Sequence, residues 1–310
     1  MEALPTRDGF GKALLRLGKL NKDIVSVEAD LGKSTRSCWF SKEFPERNFN
    51  VGIAEQNMML VAAGLASCGK IPFASTFAIF SERGFEQIRT SIARRNANVK
   101  IVGSHAGLLT GEDGSSAQAA EDMAIYRSLP NMVVISPADA IEAEKAVEAL
   151  VKYKGPAYLR LTRDKVPVLF GADYKFEIGK GRVLKEGKDI TVIATGPLVA
   201  EALEAHEQLK KEHISLRVIN ISTIKPIDEK LIVQAAKETK ALLTAEDHNI
   251  IGGLGSAVAE VLAENHPARL KRIGVNDLFA ESGKPRELYE KYGLTATHIV
   301  KEAKQLLKRK

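Results

Sequence analysis

The chain reads as an α/β protein of two successive domains, each a mainly parallel sheet covered by helices. Three observations predict this. At 310 residues and 45% hydrophobic content the chain can bury a substantial core and is long enough for two such units. Apolar strand-like runs alternate with helical patterns through the first part, which implies right-handed βαβ crossovers and a parallel sheet. A second, shorter series of the same kind follows Gly179-Lys180-Gly181.

In order, 24–29, 49–53, 71–75, 99–103, 132–136 and 157–161 read as strands of the first domain, with helices filling most of the gaps. The second series places strands at 190–194, 216–221, 241–245 and 270–275. The stretch 166–188, with scattered Gly, Lys and Asp, reads as the connector, so the domains are expected at 1–180 and 181–310. The apolar positions Met58, Met59, Val61, Ala62, Ala63 and Leu65 recur at close to a helical period. Glu55 therefore falls near a first helical turn, just after a strand read as buried. It is either a first-turn acid favoured by the helix dipole or a proton donor or acceptor in a cleft at the strands' carboxyl ends.

Composition excludes some classes. No apolar run is long enough to span a bilayer, and the N-terminal residues lack the basic-then-apolar pattern of a signal peptide. Cys38 and Cys68, the only cysteines, have neither disulfide-framework nor metal-ligand spacing and read as packing residues in a reducing compartment. A cytoplasmic protein is expected. The formal charge of +6 suits anionic substrates, but the cations are dispersed rather than gathered into a nucleic-acid groove. The basic tail Lys304, Lys308, Arg309 and Lys310 reads as the solvated end of an amphipathic helix.

The run Leu31-Gly32-Lys33-Ser34-Thr35 mimics the end of a phosphate-binding loop, but Val27 stands where the first glycine is required, so nucleotide hydrolysis is not expected. A polar loop in which Ser34 or Thr35 caps the next helix is the simpler reading. Gly252-Gly253-Leu254-Gly255 reads as tight strand-to-helix packing rather than a dinucleotide fingerprint. The glycine-rich stretch 103–116 directly follows a strand and carries His105, Glu112 and Asp113, which marks it as a functional loop. Phe77 and Phe80 follow the strand 71–75; they are core residues or an aromatic face for a heteroaromatic ring.

Taken together, these blocks resemble the C-terminal half of transketolase over essentially the whole chain. The markers are Thr6-Arg7, Ala29-Asp30, Ile53-Ala54-Glu55-Gln56-Asn57-Met58, Ser75-Thr76-Phe77-Ala78, Phe85-Glu86-Gln87-Ile88-Arg89, Ser104-His105, Gly111-Glu112-Asp113-Gly114 and Leu161-Thr162-Arg163. In the second domain they are Thr223-Ile224-Lys225-Pro226, Glu246-Asp247-His248 and Ser282-Gly283-Lys284-Pro285. The resemblance implies a thiamine-diphosphate-binding, pyrimidine-type domain followed by a smaller transketolase C-terminal domain that carries little of the chemistry. It implies transfer of a two-carbon ketol unit from a ketose phosphate to an aldose phosphate, as in the pentose phosphate pathway.

The resemblance also assigns roles. Glu55 corresponds to the carboxylate that hydrogen-bonds the cofactor's pyrimidine, and a carboxylate in a dry pocket can share or donate its proton there. Phe77 and Phe80 would stack on the pyrimidine, and Asp30 would lie near the cofactor. His105 would bond the donor's carbonyl or hydroxyl oxygens and Asp113 its hydroxyls. Arg7, Ser34 and Arg163 would hold the phosphate end, for which guanidinium forks are suited. Two departures stand out: Arg83 replaces a usual aromatic, and Ala117 replaces a usual His or Gln, leaving that contact absent, replaced by Gln118 or supplied by a partner.

The sequence has no Gly-Asp-Gly, the family's diphosphate and Mg²⁺ motif. The expectation is one subunit of a split transketolase, with no metal ligand of its own. An N-terminal subunit would contribute the diphosphate and Mg²⁺ ligands, in an α2β2 heterotetramer in which this chain also self-associates. A deoxyxylulose-phosphate-synthase-like half, a 2-oxo acid dehydrogenase β subunit and a noncatalytic partner are the alternatives. The loop 111–116 and Arg163 favour transketolase over the first two, and the set Glu55, His105, Asp113 and Arg163 argues against the third.

Overall fold

The computed structural model describes residues 2–308 and places them in two α/β units built on separate sheets. The first sheet has seven strands, in the order Thr223–Lys225, Val133–Ile135, Ala157–Arg160, Lys100–Ser104, Ile71–Phe77, Ile24–Glu28 and Asn48–Asn50. All neighbours are parallel except Thr223–Lys225, which is antiparallel to Val133–Ile135. The second sheet runs Leu270–Val275, Leu242–Asn249, Ile190–Ala194, Leu216–Asn220 and Arg182–Lys185, with only the last antiparallel.

The expected strand 49–53 is shorter and differently placed. Asn48–Asn50 is the sheet's outer strand, bonded only to Ile24–Glu28, and its residues are exposed or half-buried. Gly52 then adopts a φ of 73° and its N–H donates to Asn50 Oδ1 at 2.9 Å, turning the chain out of the sheet. Ile53 is consequently 80% exposed. An edge strand in a parallel sheet reads like an inner one because its apolar residues follow the same pattern.

The connector is also more ordered than its composition suggests. Val166–Pro167 pairs with Ala3–Leu4, and Arg182–Lys185 joins the second sheet. Thr223–Lys225 lies within the second sequence series yet extends the first sheet, and Lys225 Nζ donates to the Arg127 and Leu129 carbonyls. The two units share apolar packing: one buried cluster runs from Val27, Met58 and Tyr158 to Ile193, Ile219 and Leu242.

The helix Thr6–Leu20 packs on Ala140–Lys152 so closely that a Cβ on Gly9 would come within 2.0 Å of the Ala140 carbonyl oxygen. This approach fixes the start of Thr6–Leu20, where Arg7 sits. Gly32–Thr35 forms a single short turn, and neither Ser34 nor Thr35 caps a helix. Thr35 Oγ1 instead bonds the Leu31 carbonyl and lies 3.1 Å from Ser37 Oγ. Cys38 is half-buried, but Cys68 is exposed at the end of Glu55–Ser67 and is not a packing residue. Lys304 pairs with Glu212 at the end of Ala296–Lys308; Arg309 and Lys310 lie outside the described residues. No helix among the described residues is long and apolar enough to cross a membrane.

Buried polar groups cross the seam between the units at several points, and a buried arginine lies at one of them. Arg160, 3% exposed, donates Nε to both Asp122 carboxylate oxygens at 3.1 and 2.8 Å. Its Nη2 donates to the Ala119 and Asp247 carbonyls, and Tyr158 adds its hydroxyl to Asp122 at 2.6 Å. Removing one partner strands a buried charge. Asp122→Ala is expected to destabilise the chain by about 3–5 kcal/mol in chemical denaturation, and a loss below about 1 kcal/mol would contradict this role.

Candidate functional site

The site is built where the strand Lys100–Ser104 ends. His105 takes a φ of 58°, a left-handed conformation that costs a non-glycine residue free energy and is kept only where surrounding contacts over-determine it. Thr110 Oγ1 donates to the His105 carbonyl at 2.7 Å. The imidazole lies flat on Phe77, with ring centroids 3.7 Å apart, and Phe77 also stacks on Phe80 at 5.3 Å. One face of Phe77 is therefore already occupied by His105.

Both ring nitrogens of His105 have partners: Nδ1 lies 2.8 Å from Ser104 Oγ and Nε2 lies 3.1 Å from an Arg7 guanidinium nitrogen. Arginine can only donate, so Nε2 accepts and Nδ1 carries the proton. Charge makes the same choice. Burial, then Arg7, Arg163 and Arg36, push the His105 pKa down to about 3, leaving a neutral ring.

Arg7 also donates to the main-chain carbonyl of Ser34 at 2.9 Å, so Ser34 orients the guanidinium through its backbone rather than its hydroxyl. The buried Arg7 Nε has no protein partner. Arg163 donates to the Thr110 carbonyl at 2.6 Å and to Asp113 Oδ1 at 3.0 Å, near the far end of the loop that begins at His105. The structure thus links Arg7, Ser34, His105, Phe77 and Phe80 in one chain of contacts, and Arg163 with Asp113 in a second. Arg36, absent from the sequence-based set, acts on His105 while paired with Asp8 at 2.6 Å. No local pattern marks it, because its nearness to His105 arises from the fold.

Glu55 opens the helix Glu55–Ser67 and is only 4% exposed. Its ion-pair partner is Arg83, at 3.6 Å and 69% exposed, so the arginine that replaces a usual aromatic faces this carboxylate. Gly84 packs on Glu55 and Met59, bringing the segment after Phe80 against the start of the helix. Asp30 is exposed. It has a φ of 62° and exchanges two hydrogen bonds with Asn50, each 3.2 Å.

Ala117 is buried and brings no polar group. The neighbouring Gln118 is buried too, and its Nε2 is committed to the Gly111 and Glu281 carbonyls at 3.1 Å each. Its donor side is thus engaged in holding the loop. Among the described residues, no group of three or more His, Cys, Asp or Glu could hold a metal.

The transketolase pyrimidine binding domain matches residues 2–168 and the transketolase C-terminal domain matches residues 179–299. A Methanocaldococcus jannaschii protein named for the C-terminal section of transketolase is 48% identical over 307 residues, 98% of this chain and 96% of the relative. A 6-deoxy-6-sulfo-D-fructose transketolase subunit from Clostridium sp. MSTE9 is 42% identical, covering 98% of this chain and 95% of that one. The solved structure of a split gene transketolase, described as an inactive beta4 tetramer, superposes with a TM-score of 0.91 at 51% identity and covers 99% of both chains. On its two domains and these full-length relatives, the chain belongs to the transketolase family.

Proposed function

We propose that this chain is the C-terminal subunit of a split, thiamine-diphosphate-dependent transketolase in the cytoplasm. It would transfer a two-carbon ketol unit from a ketose phosphate to an aldose phosphate, as in the pentose phosphate pathway. The observation that carries this reading is the neutral His105 imidazole, fixed between Ser104 and Arg7 beside Arg163 and Asp113. A neutral ring next to guanidinium groups suits a polyhydroxylated, anionic ligand: the arginines hold the anion while the imidazole bonds uncharged oxygens. Because Nε2 already accepts from Arg7, an incoming hydroxyl takes over that acceptor as Arg7 turns to the anionic end.

The residues present fit the pyrimidine end of thiamine diphosphate. Glu55 is a nearly inaccessible carboxylate with one loosely held cation as partner, a group able to share a proton with a ring nitrogen. Phe80, half-buried, is the ring left to stack on a heterocycle, since His105 covers one face of Phe77. The cofactor, when bound, supplies the nucleophilic carbon that accepts the ketol unit. This chain's residues orient the donor through His105, Asp113, Arg7, Ser34 and Arg163 and hold a proton at Glu55; Asp30 takes a place beside the cofactor.

An N-terminal partner subunit would supply the diphosphate and Mg²⁺ ligands in an α2β2 assembly. The split-gene relative's inactive form made of β chains alone supports dependence on such a partner. The relative named for a sulfonated ketose leaves the donor's anionic group open, because guanidinium forks take sulfonate and phosphate alike.

In the reconstituted two-chain enzyme, ketol transfer from xylulose 5-phosphate to ribose 5-phosphate is expected; turnover of pyruvate with no ketol transfer would favour the dehydrogenase or synthase alternative. Glu55→Gln is expected to lower kcat by roughly 10² to 10⁴-fold, and near-normal turnover would remove Glu55 from the mechanism. His105 supplies a third test. An unfolded histidine titrates near 6.5, and the folded ring near about 3, so between these pH values the unfolded chain binds more protons. The neutral ring therefore contributes stability that is present above about pH 6.5 and is lost as pH falls toward the folded value. By NMR the His105 ring should stay neutral down to about pH 4.5, and a midpoint near 6.5 would contradict the site's electrostatics.

A further inference from the structure

The strand Leu242–Asn249 ends its buried run in Glu246-Asp247-His248, three fully or almost fully buried polar residues with different tasks. Glu246 serves its own domain: its two carboxylate oxygens accept from the Leu254 and Gly255 N–H groups, both at 2.7 Å, at the start of the helix Leu254–Asn265. Gly253 and Gly255 pack tightly there, as the glycine pattern implied. His248 donates Nδ1 to the Asn249 carbonyl and accepts at Nε2 from Ala124 N–H at 3.3 Å, a contact to the first domain.

Asp247 reaches further into the first domain. Its Oδ1 accepts from Leu108 N–H at 2.8 Å and its Oδ2 from Leu109 N–H at 3.4 Å. The Tyr289 hydroxyl donates to Oδ2 at 3.0 Å, and the buried Arg160 bonds the Asp247 carbonyl at 2.8 Å. Gly107, at a φ of 71°, passes so near that a Cβ there would lie 2.3 Å from Oδ2. The loop backbone thus lies directly against this carboxylate.

The gripped turn, Leu108–Asp113, joins the two halves of the proposed donor site. His105 precedes it, Thr110 bonds His105 on one side and Arg163 on the other, and Asp113 ends it. A loop with glycines at 107, 111 and 114 has many conformations to lose, so holding His105 and Asp113 at one spacing requires an anchor. Hydrogen bonds from two consecutive amides to one buried carboxyl group supply it. Asp247 is 1% exposed, and both its carboxylate oxygens are taken up by protein donors.

We propose that Asp247 is a positioning residue for donor binding, through which the C-terminal domain sets the geometry of the loop carrying His105 and Asp113. This rests on the ketol-transfer reading above. The test combines hydrogen exchange on the full chain with kinetics of the two-chain enzyme, using Asp247→Asn and the milder Tyr289→Phe, which keeps both amide contacts. In Asp247→Asn the Leu108 and Leu109 amides are expected to exchange at least about tenfold faster while those of Ile190–Ala194 are unchanged. The donor KM is expected to rise about tenfold or more with kcat falling less than about threefold, and Tyr289→Phe should move KM the same way by about two- to threefold. Wild-type exchange at 108–109, or lost stability and kcat with donor KM unchanged, would overturn the proposal. The exchange measurement needs no substrate, so a wild-type enzyme that fails to transfer ketol units would count against the functional reading while the loop anchor is still judged.

Discussion

A histidine that rests against a guanidinium must stay neutral, and the arrangement at the mouth of the first sheet follows from that constraint. Arg7 occupies the acceptor nitrogen, Ser104 receives the remaining ring proton, and Phe77 supports the ring from one side. Protonating His105 would place a fourth positive charge beside Arg7, Arg36 and Arg163 in a buried position, which is why its pKa falls so far. The same crowding of cations leaves a positive field that an anionic ligand would relieve. Strain in the His105 backbone is tolerated because both flanks are held, by the strand before it and by Thr110 after it.

What was legible in the sequence, and what was not, divides along physical lines. Period and alternation located the strands and placed Glu55 at the opening of its helix, because both depend on neighbours within a few residues. The exposed edge position of Asn48–Asn50 was not legible, since strand order is a property of the whole sheet. The excursion of Thr223–Lys225 into the first sheet was hidden for the same reason. Among candidate site residues, His105 and Asp113 could be found because they share a loop. Ser34 entered through the resemblance as a phosphate-end residue, and its carbonyl makes the contact with Arg7. Arg36 and Asp247 gain their proximity to the loop from segments distant in sequence.

The second domain is more than an appendage to the first. Its Glu246 secures a helix within its own unit, and the next residue grips the loop of the other. Arg160, paired with Asp122 within the first unit, donates to the Asp247 carbonyl of the second, at the point where an apolar cluster already crosses. A buried pair of this kind adds little net stability compared with apolar packing, but it holds the guanidinium in one geometry toward the second unit, and breaking it leaves an unpaired charge in a dry interior. The loop that carries His105 inherits that geometry.

We propose that this chain holds half of a catalytic site: a pyrimidine-end carboxylate and a sugar-binding cluster, with the diphosphate and metal end on a second chain. The most direct measurement is ketol-transfer turnover with thiamine diphosphate and Mg²⁺ for the purified chain alone and after mixing with a subunit that carries Gly-Asp-Gly. No turnover is expected from the chain alone, and activity should saturate as the partner is titrated in. Robust turnover by the purified single chain would contradict it.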